Sequence, residues 1–567
     1  MKTVLTTLNA KYIHTSTALR WLYVANKDRF DICFKEFVIK EDVHQIANDL
    51  LSRNPDIIGI GVYIWNVDKS MALISALKAR KPELILIAGG PEVSYEPEHF
   101  LSNNAIDFVI SGEGEFVLRE LLSAIENNPS GDHSSFHIKS VSNRHRINKT
   151  PAIANLSKLA GLPSPYMLAA DQADRNNRII YFESSRGCPY HCTYCLSSME
   201  KGVRFFPRDY VFRNLEYLIE NGVRQVKFLD RTFNLNQKHT QALFNFLIER
   251  YKPGISFQFE IVAELLTEEI VNQLNDSLQF HYFRFEIGVQ STCEQTNQAI
   301  MRKQDFEMLA ARIQQLNDSQ KVDLHLDLIA GLPYESFYRF RKSFNDVFAL
   351  RAKEVQLGFL KMLRGTTIRQ EAGLSGYQFQ TQAPYEIIRN KWMTAEEIKR
   401  IHTAEHALKT YWNSGKFYRT LSLLFDTSYS GKYFALFDEI GQYTEAHPLP
   451  RHNYQLEDIF LHLHRFLLSK GMDFFKELRE DYYACFKIRP RGFWENRLGK
   501  KKCKQIRSQI GNDMDFLKTC QLTRKVIEKQ TAIDVLDESH VLVTVFCEDG
   551  SRENPLFLKY PINQINR

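Results

Sequence analysis

Cysteine is scarce in this sequence, with nine in 567 residues. That is too few for a disulfide scaffold and excludes the small, stapled secreted class. Long apolar runs are missing too. No stretch approaches 18 uncharged apolar residues, so no membrane-spanning helix is expected. The opening "MKTVLTTLNAKYIHTS" has neither an apolar core nor a small-residue cleavage site. It therefore predicts no secretory signal, and the chain is expected in the cytoplasm. Neither sign of charge dominates: 73 Lys and Arg stand against 67 Asp and Glu, a net +6. So mild an excess permits an anionic partner without demanding nucleic acid. There is no internal repeat and no low-complexity tract, which excludes solenoids and compositionally biased, disordered chains. What remains is ordinary globular composition, 44% hydrophobic and 25% charged. Its length suits roughly three to four domains.

Residues 1–127 alternate strand and helix signals in five β/α units, from "TVLTTLN" to "FVLRELLSAIENN". That pattern predicts a doubly wound, parallel α/β domain. Ligands of such sheets bind beyond the carboxyl ends of the strands. Four strand ends are therefore of interest: "LNAKYIHTS" (8–16), "VYIWN" (62–66), "AGGPEVSY" (88–95) and "SGEGE" (111–115). They offer Asn9, His14, Thr15, Tyr63, Trp65, Asn66, Gly89, Gly90, Glu92, Glu113, Gly114 and Glu115 as candidate contacts. The plainer alternative is a set of ordinary βα turns with a tryptophan packed on the sheet. Residues 128–178 are weakly periodic and read as a linker with a short β-hairpin. Residues 179–375 resume the alternation in six β/α steps, which predicts a partial or full β/α barrel with its chemistry at the carboxyl ends of the strands. Residues 376–567 read as a mostly helical domain ending in a β-rich piece, "HVLVTVFCEDG". A basic run, "RLGKKKCKQIR" (497–507), reads as a solvated face.

Six cysteines, Cys33, Cys293, Cys485, Cys503, Cys520 and Cys547, are scattered and read as buried or half-buried thiols. The other three, Cys188, Cys192 and Cys195, fall within "YFESSRGCPYHCTYCLSSME" (181–200), spaced C-x3-C-x2-C after the first strand of the second β/α set. Three readings compete. A structural zinc site would need a fourth N or S ligand, and His191 is the near candidate. The thiols could be unrelated neighbours in a loop. Or they hold an iron–sulfur cluster, whose cubane form usually takes four thiolates, so that three leave one iron open.

"GCPYHCTYC" resembles the signature of the radical S-adenosylmethionine (SAM) superfamily, with Tyr194 at the aromatic position before the third cysteine. The resemblance implies that Cys188, Cys192 and Cys195 hold a 4Fe–4S cluster. Its open iron would chelate SAM, and reductive cleavage would yield a 5′-deoxyadenosyl radical. It further implies SAM contacts from Tyr194, from Asp230 in "FLDRTFN" and from Glu286 and Gln290 in "RFEIGVQS". Arg302 in "IMRKQ", and Ile329 and Gly331 in "LDLIAGLP", complete the set. A five-unit β/α domain ahead of the barrel resembles the cobalamin-binding subgroup, which implies cobalamin at the four strand ends. The D-x-H-x-x-G motif that supplies an axial histidine to cobalt elsewhere is absent, so cobalamin bound without a protein His ligand is expected. The C-terminal region resembles an uncharacterised extension carried by some of these proteins.

The function so implied is cobalamin-dependent radical chemistry, by methyl transfer or rearrangement, on a substrate that the sequence leaves unnamed. It calls for an electron donor such as flavodoxin or ferredoxin; membrane and nucleic-acid partners are not expected. Methylthiotransfer to tRNA would need a second cluster, and the N-terminal region offers only Cys33. A non-catalytic cofactor-binding or redox-sensing protein is the alternative of another class.

Overall fold

Short runs of Val, Ile and Leu build the first sheet. β1 (Lys2–Asn9), β2 (Asp31–Val38), β3 (Ile57–Gly61), β4 (Ile85–Gly89) and β5 (Phe108–Ile110) are parallel, and β6 (Val141–Ser142) adds an antiparallel edge. The order is β2-β1-β3-β4-β5-β6. The chain is described here from a computed structural model covering residues 1–102, 105–128, 136–200, 202–449, 455–486, 498–546 and 555–562. Side chains alternate across the sheet, so Val4 and Leu8 join one core and Leu5 the other. Helices Val43–Ser52 and Val67–Arg80 cover the first face; Thr17–Asn26 and Glu115–Asn127 cover the second. Each apolar side chain so buried contributes about 1.5–3 kcal/mol. The expected doubly wound domain is present. Most of "NNPSGDHSS", read as a loop signal, lies outside the described residues, and β6 makes the following segment an edge of the first sheet.

The second sheet has six parallel strands: β7 (Ile179–Phe182), β8 (Gln225–Phe228), β9 (Ser256–Ile261), β10 (Phe283–Gln290), β11 (Val322–Ala330) and β12 (Glu354–Phe359). Their order is strictly sequential, as in an opened β/α barrel. β10 shows why its faces differ. Phe283, Phe285, Ile287 and Val289 are buried, while Arg284, Glu286, Gly288 and Gln290 are half-buried. The outward face is aromatic: Phe228, Phe259, Phe283 and Phe285 pack edge to face and offset with Phe233 and with Phe244 of the covering helix Gln237–Glu249. The inward face keeps the polar residues. Residues 13–17 cover the free edge of β7: Ile179 N donates to Ile13 O at 2.7 Å, and Thr17 Oγ1 to Tyr181 O at 2.7 Å.

The first compact unit runs from Met1 to Ile398 and the second from Lys399 to the end. The small hairpin Gln378–Phe379 with Ile387–Arg389 thus belongs to the first unit. The second is mostly helical, with one antiparallel sheet of Thr531–Val535, His540–Val545 and Leu556–Pro561. The basic run falls on helix Lys500–Asn512, which buries Cys503, Ile506 and Ile510 and exposes Lys500, Lys501 and Lys504. Among the described residues no helix is long and apolar enough to cross a membrane.

Candidate functional site: a three-cysteine loop at the barrel mouth

The cysteine loop leaves the end of β7 through a two-residue ladder, Ser185–Arg186 against Arg204–Phe205. Gly187 turns at φ +93°, and a Cβ there would overlap the Gly202 carbonyl, lying 3.2 Å from its carbon. Glycine is needed on both counts. Cys188 and Cys192 are buried and Cys195 is half-buried. Burial pushes the Cys188 and Cys192 thiols up, and Cys195 adds to both; Arg302 pulls Cys192 back. Cys188 Sγ lies 3.8 Å from Thr232 Oγ1. His191 is exposed. Among the described residues no three His, Cys, Asp or Glu side chains converge on one metal ion, as zinc with bonds of about 2.3 Å requires. Arg231 favours the Cys188 thiolate and Arg302 that of Cys192, so two guanidinium groups bear on the loop.

Tyr194 and Arg302 are brought to this loop. Burial pushes the Tyr194 phenol well up, with Arg302 opposing. Arg302 lies close enough to Cys192 to favour its thiolate, and it donates from Nε to Gln304 Oε1 at 3.0 Å and to the Gly288 carbonyl. Gln290 sits at φ +67°, with its amide nitrogen in the space that the missing Cβ of Gly288 leaves. Its Oε1 is buried without a hydrogen-bond partner. Glu286 is held by Lys227 Nζ at 2.8 Å and by Gln258 Nε2. Glu260 stands opposite it in register, with burial raising its carboxyl. Ile329 lies half-buried on β11, and Gly331 turns at φ +89° with its carbonyl accepting from Asn390 Nδ2 at 2.9 Å.

Asp230 is placed differently. Its carboxylate accepts from Ser184 N (3.0 Å), Ser184 Oγ (2.6 Å) and Ser185 Oγ (2.6 Å). Burial raises it to about 6. It thus ties down the root of the cysteine loop.

The strand ends of the first sheet divide into two groups. Trp65 is 50% exposed and stacks on Tyr63 at 4.5 Å and 7°, with its Nε1 donating to Leu8 O at 3.3 Å. Asn66 fixes this turn: Oδ1 accepts from Tyr63 N at 2.8 Å and Nδ2 donates to Leu8 O at 3.0 Å. Gly89 ends β4, Gly90 turns at φ +110° against the Val62 backbone, and Gly114 precedes helix Glu115–Asn127. These leave an aromatic platform and close backbone for a ligand. The second group is taken up by neighbouring elements. Asn9 Nδ2 donates to His14 O and Glu36 Oε1, both at 3.0 Å. His14 Nδ1 pairs with Tyr181 OH at 2.8 Å, and burial lowers the imidazole. Thr15 Oγ1 donates to Ile179 O at 2.8 Å. Glu92 receives Arg364 and Tyr385. Glu113 and Glu115 pair with Arg186, at 3.3 and 2.8 Å, and Glu113 also with Arg204.

Arg186, Lys227, Glu260 and Arg364 were not singled out from sequence. Arg186 directly precedes the glycine of the cysteine motif and is the one the motif could have flagged. Lys227 and Glu260 follow from alternation: Lys227 stands between buried Val226 and Phe228 in β8, and Glu260 between buried Phe259 and Ile261 in β9.

Three family models match in series: the B12 binding domain at residues 4–122, the radical SAM superfamily at 182–347, and a protein family of unknown function, DUF4080, at 375–550. Among curated proteins, a 2-(S-pantetheinyl)-carbapenam-3-carboxylate methyltransferase of Streptantibioticus cattleyicolor is 24% identical over 435 residues, 70% of this chain and 62% of that one. The cobalamin-dependent radical SAM methyltransferase TokK of Streptomyces tokunonensis is 24% identical over 53% of this chain and 45% of its own. The chain therefore spans less than two thirds of the length of either relative. Among solved structures, the cobalamin-dependent SAM radical enzyme OxsB, with aqua-cobalamin bound, superposes with a TM-score of 0.59 at 15% identity, covering 86% of this chain and 81% of its own. The radical SAM methyltransferase TsrM of Kitasatospora setae gives 0.54 at 17% identity, over 68% and 80%. These likenesses share the fold. The chain thus carries a radical SAM superfamily domain, preceded by a B12 binding domain and followed by DUF4080.

Proposed function

We propose that this chain is a cobalamin-dependent radical SAM enzyme that transfers a methyl group to a substrate not yet identified. The carrying observation is the trio Cys188, Cys192 and Cys195, with Arg302 against Cys192, at the mouth of an opened β/α barrel. A 4Fe–4S cluster held by Cys188, Cys192 and Cys195 would supply one-electron reducing power for SAM, and cobalamin at the strand ends of the first sheet would supply a methyl carrier. The three thiolates hold the cluster, and the guanidinium of Arg302 offsets their negative charge in a half-buried setting. Tyr194 and Ile329 offer apolar surface for the adenine, while Glu286 and Gln290 offer acceptors for ribose and the amino-acid end. Trp65 on Tyr63 gives a flat surface for a corrin ring without metal ligation, and Gly90 and Gly114 let backbone approach it. A one-electron donor such as flavodoxin or ferredoxin completes the system. Methyl transfer is favoured over rearrangement because both curated relatives described above are named methyltransferases.

The test is anaerobic purification, cluster reconstitution, reduction and assay for 5′-deoxyadenosine, with the visible spectrum read for corrinoid retained through desalting. The expected result is SAM cleavage that disappears, together with cluster iron, in Cys192→Ala. A full cluster with no 5′-deoxyadenosine would overturn the radical reading and leave a non-catalytic cofactor-binding protein.

A further inference from the structure

Residues 361–370, which follow β12, touch both halves of the proposed site. On one side, Arg364 is 8% exposed and reaches the loop after β4. Its Nε donates to Glu92 Oε1 at 3.0 Å, Nη1 pairs with Glu96, and Nη2 lies 3.2 Å from His99 Nε2. Glu92 is itself 4% exposed and also accepts from Tyr385 OH at 2.5 Å. The guanidinium lies over Phe100 and Tyr385, at 5.3 and 5.2 Å from the ring centroids. The next residue, Gly365, turns at φ +87°, and a Cβ there would stand 2.6 Å from Cβ and Cγ of Tyr95. On the other side, Ile368 N donates to Thr193 O at 3.1 Å. Thr193 lies between Cys192 and Tyr194 in the cysteine loop.

We propose that Arg364 is a positioning residue: with its neighbours in 361–370 it sets the strand-end loop Gly90–Glu96 at a fixed distance from the cysteine loop. An arginine suits this task because its planar fork can bond three partners at once with defined geometry. A buried ion pair gives little net stability, since desolvation offsets attraction, but breaking it strands a buried charge. Such a pair therefore specifies one arrangement more than it strengthens the fold. Glu92, offered from sequence as a cobalamin contact, acts here as the anchor that Arg364 grips. The inference rests on the proposed function only for what each loop carries; the tie between the loops exists without either cofactor.

The test uses the full-length chain with Arg364→Ala and, as a milder change, Tyr385→Phe, which removes one hydroxyl and keeps the ring. In the cofactor-free proteins, hydrogen exchange is followed at the amides of 91–101 and 361–370. Arg364→Ala loses the bonds to Glu92, Glu96 and His99 together, and is expected to speed exchange there by at least about tenfold, with the strands of the first sheet unchanged. In cofactor-loaded protein, the magnetic coupling between cob(II)alamin and the reduced cluster is read by electron paramagnetic resonance. Arg364→Ala is expected to keep its iron and corrinoid but to weaken or spread this coupling. Unchanged exchange at 91–101 in Arg364→Ala, or unchanged coupling in its loaded form, overturns the proposal. If Arg364→Ala fails to fold, Tyr385→Phe decides by the same two readings. If the parent retains no corrinoid, the functional reading fails and the exchange experiment still decides this one.

Discussion

Gly187→Ala should disable the cysteine loop, and Gly202→Ala, on the other side of the turn that the same small ladder closes, should not. Both glycines have left-handed backbone, at φ +93° and +73°. Placing an L-residue there costs about 1–2 kcal/mol at either site. The two differ in what a methyl group would meet. At Gly202 there is nothing within 4 Å; at Gly187 it would overlap the Gly202 carbonyl, 3.2 Å from the carbon. That obstacle is backbone, so no rotamer relieves it, and overpacking adds about 1–3 kcal/mol. Gly202→Ala is then expected to cost about 1–2 kcal/mol, and Gly187→Ala about 2–5 kcal/mol. The relief available is opening of the Ser185–Arg186 ladder, which carries Cys188 with it. The assay is iron bound per chain after anaerobic reconstitution, beside thermal unfolding of the cofactor-free protein. Gly202→Ala should bind iron like the parent, and Gly187→Ala should melt lower and bind much less. Equal iron and equal melting in the two variants would refute the reasoning.

Trp65→Ala removes the exposed ring above Tyr63. It should weaken corrinoid binding by about three- to tenfold in equilibrium dialysis, while iron content stays the same. Glu335 is fully buried and accepts from Ser291 and Ser343 hydroxyls, both at 2.6 Å, and burial raises it to about 7. A carboxyl raised on folding favours the folded state less as pH climbs from its ordinary 4.5 to 7, by about 3 kcal/mol in all. Glu335→Gln cannot ionise, so its stability relative to the parent should improve between pH 5 and pH 8; a constant difference by chemical denaturation would contradict this.

The two β/α sets were legible because their cores are built from local pattern. Continuous apolar runs such as "IIGIG" mark strands buried on both faces, and the alternation in "FRFEIGVQ" separates an aromatic outer face from a polar inner one. The cysteine loop was legible because thiolate ligands must lie close together, and C-x3-C-x2-C keeps them close within a few residues. The strand-end acids were not. Glu92, Glu113 and Glu115 read as contacts to a ligand, yet each meets an arginine far along the chain: Arg364 for Glu92, Arg186 for the other two. Nothing near a glutamate in sequence says whether a ligand or a distant guanidinium will neutralise it. Asp230 illustrates the same limit, since the three donors around it come from Ser184 and Ser185, some 45 residues away.

From sequence alone came the order of the β/α and helical regions, which follows from short-range periodicity, and the grouping of Cys188, Cys192 and Cys195, which follows from spacing; that the three hold a cluster is what the resemblance to the radical SAM superfamily implies. Only the tertiary structure decided which polar groups are already paired and which stay open. It set Arg302 against Cys192, closed Glu92 onto Arg364, and left the Trp65 ring uncovered. Those choices depend on how two sheets and residues 361–370 pack. Buried charges find their partners through space, at contacts of about 3 Å that chain separation does not encode.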